Sequence, residues 1–385
     1  MDRYISLNFF NVAKVTCTFF VGVALVLNSF TLVRGDGAGG PFEILLLLSL
    51  IILGFFKLIE RHKFNFLPLI AIIYLLVIMA PLTFLNSYFD QMGSSIRTLF
   101  ALFFGAFAGF IIANTNLVEQ KYISLGGASV LIASFFAAMY LEIDFSNLQR
   151  LLFLSENPNQ IALYSLGMLF LISWSIENKI SLGIFNLFAL GYGFFALSDT
   201  FFLAFFIIIL FILFGFIIRG KAFSLLMTFW VLLIALAYVL IFPENVILEY
   251  IIKAWQNADE GGGRLTLALN GILAYLESPI FGHGAGAFSG VNIPMMRYEA
   301  HNTFIDFLTM GGIPFILIVY VPFFLAAKEL LLDSKYFILG ILIGLVIFSF
   351  FHFIGRHPIF WFVWGYSISI FMHYKNLNKR KLCAE

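Results

Sequence analysis

Apolar runs, separated by short polar stretches, dominate the sequence from residue 15 to residue 374. A helix needs about 20 apolar residues to cross the roughly 30 Å hydrocarbon core of a bilayer. Hydrophobic residues make up 62% of the chain and charged residues 11%, against about 25% charge in soluble proteins. We therefore predict an all-α integral membrane protein with about twelve transmembrane helices. The predicted spans are residues 15–33, 41–56, 66–85, 98–115, 122–141, 161–176, 181–197, 201–218, 222–242, 303–326, 336–351 and 359–374.

Charged residues are unevenly divided between the two faces that twelve spans would create. Fifteen of the 22 lysines and arginines lie on the face that carries both chain ends, and seven lie on the other. Because lysine and arginine are enriched in cytoplasmic loops, we predict that both termini are cytoplasmic. Fourteen of the 21 carboxylates lie on or just inside the outer face, which then has a net charge of −7.

One long gap interrupts the apolar runs and divides the chain into three parts. Residues 1–242 hold nine predicted spans, residues 243–302 form a large outer loop, and residues 303–385 hold three spans and a cytoplasmic tail. The apolar spacing within 246–258 predicts an amphipathic helix in the headgroup plane. A second amphipathic helix is expected to follow the glycines 261–263 and to end at Pro279, before a flexible glycine-rich turn at 282–286.

Three residues of this loop have the chemistry of a site. Arg264 follows three glycines, which allow close approach of the backbone, and a guanidinium binds phosphate through two parallel hydrogen bonds. His301 precedes a membrane span, and a neutral imidazole accepts a proton from a hydroxyl near pH 7. Asn302 is placed to cap that span, whose positive end favours an anion. The simpler interpretation is a surface arginine after a flexible linker and an interfacial histidine.

Further arginines are candidates outside these motifs. Arg150 borders an apolar stretch and precedes Asn157-Pro158-Asn159, so it needs a partner or must reach the interface. An interfacial anchor or an ion pair with a nearby carboxylate explains it equally well. Arg356 lies in the last outer turn and is a lesser candidate. Arg297 would help to gather phosphate or simply pair with Glu299.

The sequence contains none of the common motifs for nucleotide or catalytic metal binding. It has no Walker-type glycine-rich loop, no dinucleotide-binding fingerprint and no HExxH zinc motif. His352 and His357 flank Arg356, but their spacing fits no standard zinc site. Since a reaction on the outer face would also lack ATP, we expect no cofactor and no metal, and an activated substrate as the source of energy.

Several of these motifs together resemble those of the O-antigen ligase and O-antigen polymerase superfamily. They are Gly263-Arg264, the amphipathic helix that follows, Glu277-Ser278-Pro279-Ile280-Phe281-Gly282-His283-Gly284, Ala300-His301-Asn302-Thr303 and Gly311-Gly312-Ile313-Pro314. Arg150 with Asn157-Pro158-Asn159 resembles a second motif upstream of the large loop. The likeness covers nearly the whole chain. His283 departs from the pattern, because the family usually has a small apolar residue there.

The resemblance implies a metal-independent glycosyltransferase of the bacterial inner membrane with its active face in the periplasm. Its donor would be a glycan on undecaprenyl diphosphate. Arg150 and Arg264 would hold the diphosphate and stabilise it as it leaves, and His301 would activate the acceptor hydroxyl. We expect substrate-binding roles for Asn159, Arg297, Asn302 and Arg356. The expected partners are lipid-linked glycans and a chain-length regulator protein, with no nucleic acid.

The acceptor separates two members of this superfamily. A ligase transfers the glycan to the often phosphorylated core of lipopolysaccharide, and a polymerase transfers it to another lipid-linked repeat unit. An outer face of −7 should repel a strongly anionic acceptor, which favours the polymerase. Transfer to a protein hydroxyl is a third alternative. A secondary transporter would also have twelve spans with both termini inside, but the halves of this sequence show no convincing repeat.

Overall fold

The computed structural model describes residues 2–29, 41–60, 64–86, 92–141, 157–196, 198–218, 261–287 and 299–382. Within these ranges the chain forms helices joined by turns, without strands, which confirms the all-α prediction. The helices are α1 Asp2–Leu27, α2 Pro41–Ile59, α3 Leu69–Asn86, α4 Met92–Ala113, α5 Leu117–Leu141, α6 Pro158–Ser175, α7 Lys179–Phe195, α8 Asp199–Ile218, α9 Gly261–Glu277, α10 Thr303–Leu332, α11 Tyr336–Ser349 and α12 Pro358–Leu382. The predicted span 222–242 and the predicted helix in 246–258 lie outside the described residues.

Six of the described helices are long and apolar enough to cross a membrane. They are α1, α2, α3, α4, α8 and α10. Helices α7 and α11 are apolar but contain 17 and 14 residues, and at 1.5 Å per residue the shorter one is about 21 Å long. The protein is therefore a membrane protein, and the count of twelve spans stays a prediction.

Glycines allow the closest helix pairs to pack with their backbones in contact. Helices α1 and α5 meet at Gly22 and Gly126, where an added Cβ would collide with the carbonyl oxygens of Ile123 and Phe19. In a bilayer, where apolar surface gives little drive for helices to associate, such small residues permit the close van der Waals packing that holds them together. The first and fifth helices of the chain thus form one tightly packed pair.

Helices α4 and α12 pack in a different way, because glycines of α4 face tryptophans of α12. Gly105 and Gly109 leave the space that the buried rings of Trp361 and Trp364 fill. The Trp361 indole donates a hydrogen bond to the carbonyl oxygen of Gly355 at 2.6 Å. This bond ties the start of α12 to the turn that precedes it, so the packing of α4 also positions residues 350–357.

Replacing Gly22 with alanine should destabilise the protein, because the new methyl group can fit only if α1 and α5 move apart. Overpacking of this kind costs about 1–3 kcal/mol. Gly183 in α7 is the matched control, since an added Cβ there meets no atom within 4 Å. Gly183→Ala should raise stability by up to about 1 kcal/mol through helix propensity. Thermal unfolding of both variants in the same lipid checks this, and equal midpoints would contradict the close contact.

The glycine-rich turn at 282–286 is firmly attached to the protein, so the prediction of flexibility was wrong. The backbone N–H groups of His283 and Gly284 donate to the carbonyl oxygens of Thr309 and Met310, each at 2.9 Å. Gly282 and Gly284 have φ of 70° and 97°. A Cβ at Gly282 would collide with the backbone of α10. The glycines therefore serve close backbone contact in the left-handed region, which other residues rarely adopt.

Helix α10 is interrupted where this turn docks. Gly312 has φ 64° and ψ −168°, which breaks the helix within Thr303–Leu332. The N–H of Ile313 then donates to the carbonyl oxygen of Pro279 at 3.0 Å. The ring of His283 lies 2.7 Å, Nε2 to oxygen, from the carbonyl of Ala274 in α9. The unusual histidine thus links the turn to α9, and the motif around Gly312 joins the turn to α10.

A network of ion pairs lies at the end of the helices that is opposite to the glycine-rich turn. Buried Lys57 pairs with buried Glu119, and Lys14 pairs with Glu60 and, at 3.4 Å, with Glu119. Glu119 also closes a capping box at the start of α5, where its carboxylate accepts from the N–H of Asn116 at 2.9 Å. Residues that the sequence assigned to the cytoplasmic face therefore lie together, as alternating spans require.

Candidate functional site

Three helices begin at one small polar cleft. Helices α6, α10 and α12 start at Pro158, Thr303 and Pro358, and residues at or just before these starts surround a cavity of ≈ 90 Å³. Its described lining residues are Asn157, Asn159, Gln160, Leu163, Glu299, His301, Phe348, His352, Phe353, Ile354, Arg356 and His357. The cleft thus brings together three residues that the sequence singled out, namely Asn159, His301 and Arg356.

The electrostatics of this cleft suit an anion. The first N–H groups of each helix lack partners within the helix, and together with the helix dipole they carry partial positive charge. Three such starts meet here. The Arg356 guanidinium beside them is paired with the Glu299 carboxylate, and Phe348 in the last turn of α11 brings one negative helix end. Phosphate groups commonly bind where helix N-termini converge.

The first wall of the cleft is built by Asn157-Pro158-Asn159. Asn157 caps α6, and its side-chain oxygen accepts a hydrogen bond from the N–H of Asn159 at 2.9 Å. Proline fits the next position, because the first helical N–H needs no partner. The side-chain oxygen of Asn159 accepts from the Ser198 hydroxyl at 2.7 Å. The motif therefore starts the helix and fixes Asn159 against the beginning of α8.

The second wall carries His301. Asn302 caps α10, with its side-chain oxygen accepting from the N–H of Ile305 at 3.1 Å, which confirms the capping prediction. His301, just before the cap, is exposed and has φ 51°. Non-glycine residues seldom adopt this left-handed conformation, which costs about 1–2 kcal/mol. Such strain is often found at functional sites, where surrounding contacts maintain it.

A buried carboxylate helps to maintain that conformation. Asp306, fully buried in the first turn of α10, accepts a hydrogen bond on Oδ1 from the N–H of Ala300 at 3.0 Å. Its Oδ2 has no hydrogen-bond partner within the described chain. Sequence analysis did not select Asp306 as a site residue. The available signal was an acidic residue inside an apolar span, which usually has a function.

Replacing Asp306 with alanine should lower the free energy of unfolding by about 1–3 kcal/mol, because the buried N–H of Ala300 loses its acceptor. Asp306→Asn keeps an acceptor oxygen and should recover most of that loss. Asp333→Ala, at an exposed carboxylate near the opposite end, should cost less than about 1 kcal/mol. Thermal unfolding compares the three, and an Asn variant as unstable as the Ala variant would contradict the role of this hydrogen bond.

Arg356 and Glu299 form an ion pair at the cleft. The Arg356 side chain is 48% exposed and that of Glu299 is 16% exposed. Burial raises the pKa of the Glu299 carboxyl, although the charge and hydrogen bond of Arg356 oppose the shift. The guanidinium also lies 5.9 Å from the ring centroid of Phe353. Arg356, a lesser candidate from sequence, is thus held at the cleft by the Glu299 carboxylate.

The third wall is the turn between α11 and α12. The Thr303 hydroxyl donates to the carbonyl oxygen of His352 at 2.6 Å and accepts from the N–H of Ile354 at 2.8 Å. The His352 ring lies 2.9 Å, Nε2 to Oγ1, from Thr200 at the start of α8. His357 packs edge-on against Tyr164 of α6, with centroids 6.4 Å apart. These contacts hold the side chains of His352 and His357 in the wall of the cleft.

No described contact places the other three predicted site residues, Arg264, Arg150 and Arg297, at the cleft. The backbone of Arg264 lies in the first turn of α9, which includes the three glycines, so the expectation that the helix starts after them was wrong. Helix α9 packs against α10, where the Thr309 hydroxyl donates to the carbonyl oxygen of Gly271 at 3.1 Å. Arg150 and Arg297 lie outside the described residues, so their roles stay predictions.

The fold and the cleft define a polytopic helical membrane protein with a polar, anion-complementary site where its helices begin. Residues 184–320 match the family model described as O-antigen ligase. This match is consistent with the O-antigen polymerase and ligase superfamily and confirms the resemblance seen in the motifs. The matched segment, a little over a third of the chain, includes Arg264, Arg297, His301 and Asn302. No curated protein matches the chain. The family indicates a membrane glycosyltransferase of the O-antigen ligase or polymerase type.

Proposed function

We propose that the protein is an O-antigen, or surface polysaccharide, polymerase. It takes a glycan from undecaprenyl diphosphate and transfers it to a sugar hydroxyl of another lipid-linked repeat unit. The reaction takes place at the periplasmic face of the inner membrane and uses no metal ion. The observation that carries this proposal is the cleft in which His301, Asn159 and Arg356 meet at the starts of three helices.

The proposed reaction is a displacement at the anomeric carbon of the donor glycan. The acceptor hydroxyl attacks that carbon, the bond from carbon to the diphosphate oxygen breaks, and the diphosphate leaves with the electron pair. The proton of the hydroxyl passes to the neutral imidazole of His301. A histidine suits this step because a neutral imidazole nitrogen can accept a proton from a hydroxyl. The exposed position of His301 at the cleft supports this role.

Stabilising the leaving diphosphate is the second requirement. Its charge increases as the bond breaks, and fixed positive groups in a water-poor site lower the energy of that state. The helix starts and Arg356 supply such groups in the cleft. In the proposal Arg150, Arg264 and Arg297 add further cations, and Asn159 and Asn302 help to bind the substrate. The prenyl chain lies among the spans, which give a lipid-linked donor lateral access to the site.

The choice of acceptor rests on charge. The net charge of −7 expected for the outer face disfavours the phosphorylated core of lipopolysaccharide. A second lipid-linked repeat unit carries its own diphosphate at the far end from the accepting sugar, so its reactive end can be neutral. The polymerase is therefore favoured over the ligase.

A reconstituted reaction tests this proposal. The full chain in lipid nanodiscs receives a defined undecaprenyl-diphosphate-linked repeat unit, together with either more of the same molecule or lipopolysaccharide core. A ladder of longer lipid-linked glycans, unchanged by a metal chelator, is the expected result. Product on lipopolysaccharide core alone would identify a ligase. Absence of any transfer, together with substrate uptake into sealed vesicles, would identify a transporter and overturn the enzymatic proposal.

A further inference from the structure

In the described part of the chain, one side chain in the cleft has a buried hydrogen-bond donor without a partner. Gln160, in the first turn of α6, is 6% exposed and lines the cavity. Its backbone N–H donates to the carbonyl oxygen of Asn157 at 3.1 Å, so the start of the helix is satisfied. Its side-chain nitrogen Nε2 is buried and has no hydrogen-bond partner among the residues that the structure describes.

An unpaired donor at this depth is unfavourable. Burying an amide N–H group without a partner loses the hydrogen bond that it makes to water, and most buried polar atoms in folded proteins are hydrogen-bonded. Leu163, one turn later on α6, and Phe348 line the same cavity, so an apolar side chain would fit these surroundings. A contribution to the stability of the fold therefore explains a glutamine at this position poorly. It is well explained by a ligand atom that accepts its hydrogen bond.

The neighbours of Gln160 indicate which ligand atom that is. Arg356, whose guanidinium is paired with Glu299, and the starts of α6, α10 and α12 surround the same small cavity. The partial positive charge of the three helix starts favours a negatively charged acceptor, which would compete with Glu299 for Arg356. Hydrogen bonds to charged groups are also stronger than those to neutral ones. We propose that the Gln160 amide donates a hydrogen bond to a non-bridging oxygen of the donor's diphosphate. This assignment rests on the proposed function and adds a specific contact to it.

Two substitutions of Gln160 test the contact through binding and stability together. Gln160→Leu should weaken binding of undecaprenyl diphosphate to the nanodisc-embedded protein by about 10-fold or more, while the thermal midpoint without ligand stays equal or rises. Gln160→Glu should weaken binding further, because its carboxylate repels the diphosphate. The measurements are the dissociation constant for undecaprenyl diphosphate and thermal unfolding of the ligand-free protein.

Gln120 provides the matched control at the other end of the molecule. Its side chain is also buried, but it donates to the Ser369 hydroxyl at 2.8 Å and accepts from the Trp174 indole at 3.1 Å. Gln120→Leu should therefore lower the thermal midpoint and leave the dissociation constant unchanged. The comparison separates a ligand contact from a structural hydrogen bond.

Opposite results would overturn the assignment. If Gln160→Leu destabilises the protein as Gln120→Leu does and binds undecaprenyl diphosphate normally, Gln160 is structural. If Gln160→Glu binds it as tightly as the native protein, the acceptor atom is not on the diphosphate. A failure of the proposed function looks different, because then the unsubstituted protein itself neither binds undecaprenyl diphosphate nor extends a lipid-linked glycan.

Discussion

His301→Ala should lower the rate of glycan transfer by about 10²–10⁴-fold and leave donor binding nearly unchanged, because the variant loses the group that takes the acceptor proton. His301 is exposed at the cleft, so its removal leaves the buried core intact. The test combines single-turnover transfer from a defined lipid-linked donor with a direct measurement of the dissociation constant for undecaprenyl diphosphate.

The matched control is His373→Ala near the opposite end of α12, where the ring packs against Trp174 at 6.2 Å between centroids. Transfer by this variant should stay close to that of the native protein. If His301→Ala loses donor binding along with transfer, the imidazole belongs to the phosphate-binding site. If it transfers at the native rate, another group removes the proton.

Arg264→Lys should lose most of the transfer activity, by about 10²–10³-fold if the guanidinium stabilises the leaving diphosphate. Lysine keeps the charge, but its ammonium cannot form the two parallel hydrogen bonds of a planar guanidinium. The same single-turnover assay measures the effect, and the rate should fall more than the donor affinity, because the charge on the leaving group is greatest in the transition state.

Arg380→Lys serves as the control, because Arg380 lies near the end of α12, far along the helix from the cleft. It should extend glycans normally. Near-native chain growth by Arg264→Lys would count against a role in holding the diphosphate. It would leave Arg356 as the described cation beside the proposed phosphate position.

Much of the architecture was predictable because a bilayer imposes a simple rule on the chain. Each backbone polar group must be bonded within its own segment, so apolar runs of sufficient length form helices. The predicted runs within the described residues indeed fall on helices. The capping role of Asn302 was also predictable, because capping depends on residues two or three positions away in sequence.

The contacts of the cleft were harder to predict from the sequence, because they join residues far apart in the chain. Glu299 pairs with Arg356 across 57 positions, and Thr303 bonds to the carbonyl of His352 across 49. From the sequence alone Arg297 is the suggested partner of Glu299, because nearness in sequence is the available guide. The glycine-rich turn at 282–286 is predicted to be flexible for a similar reason, since its hydrogen bonds to α10 have no local sequence signal.

The sequence by itself determined the class of protein, the helices and the residues able to do the chemistry, because hydropathy and local capping act over short distances. The tertiary structure decided which of those residues meet. It placed His301, Asn159 and Arg356 around one cleft, and it added Asp306 and Gln160, which the motifs did not select. Packing decides this because the partners of a buried polar group, and the electrostatic effect of converging helix ends, exist only after distant segments have come together.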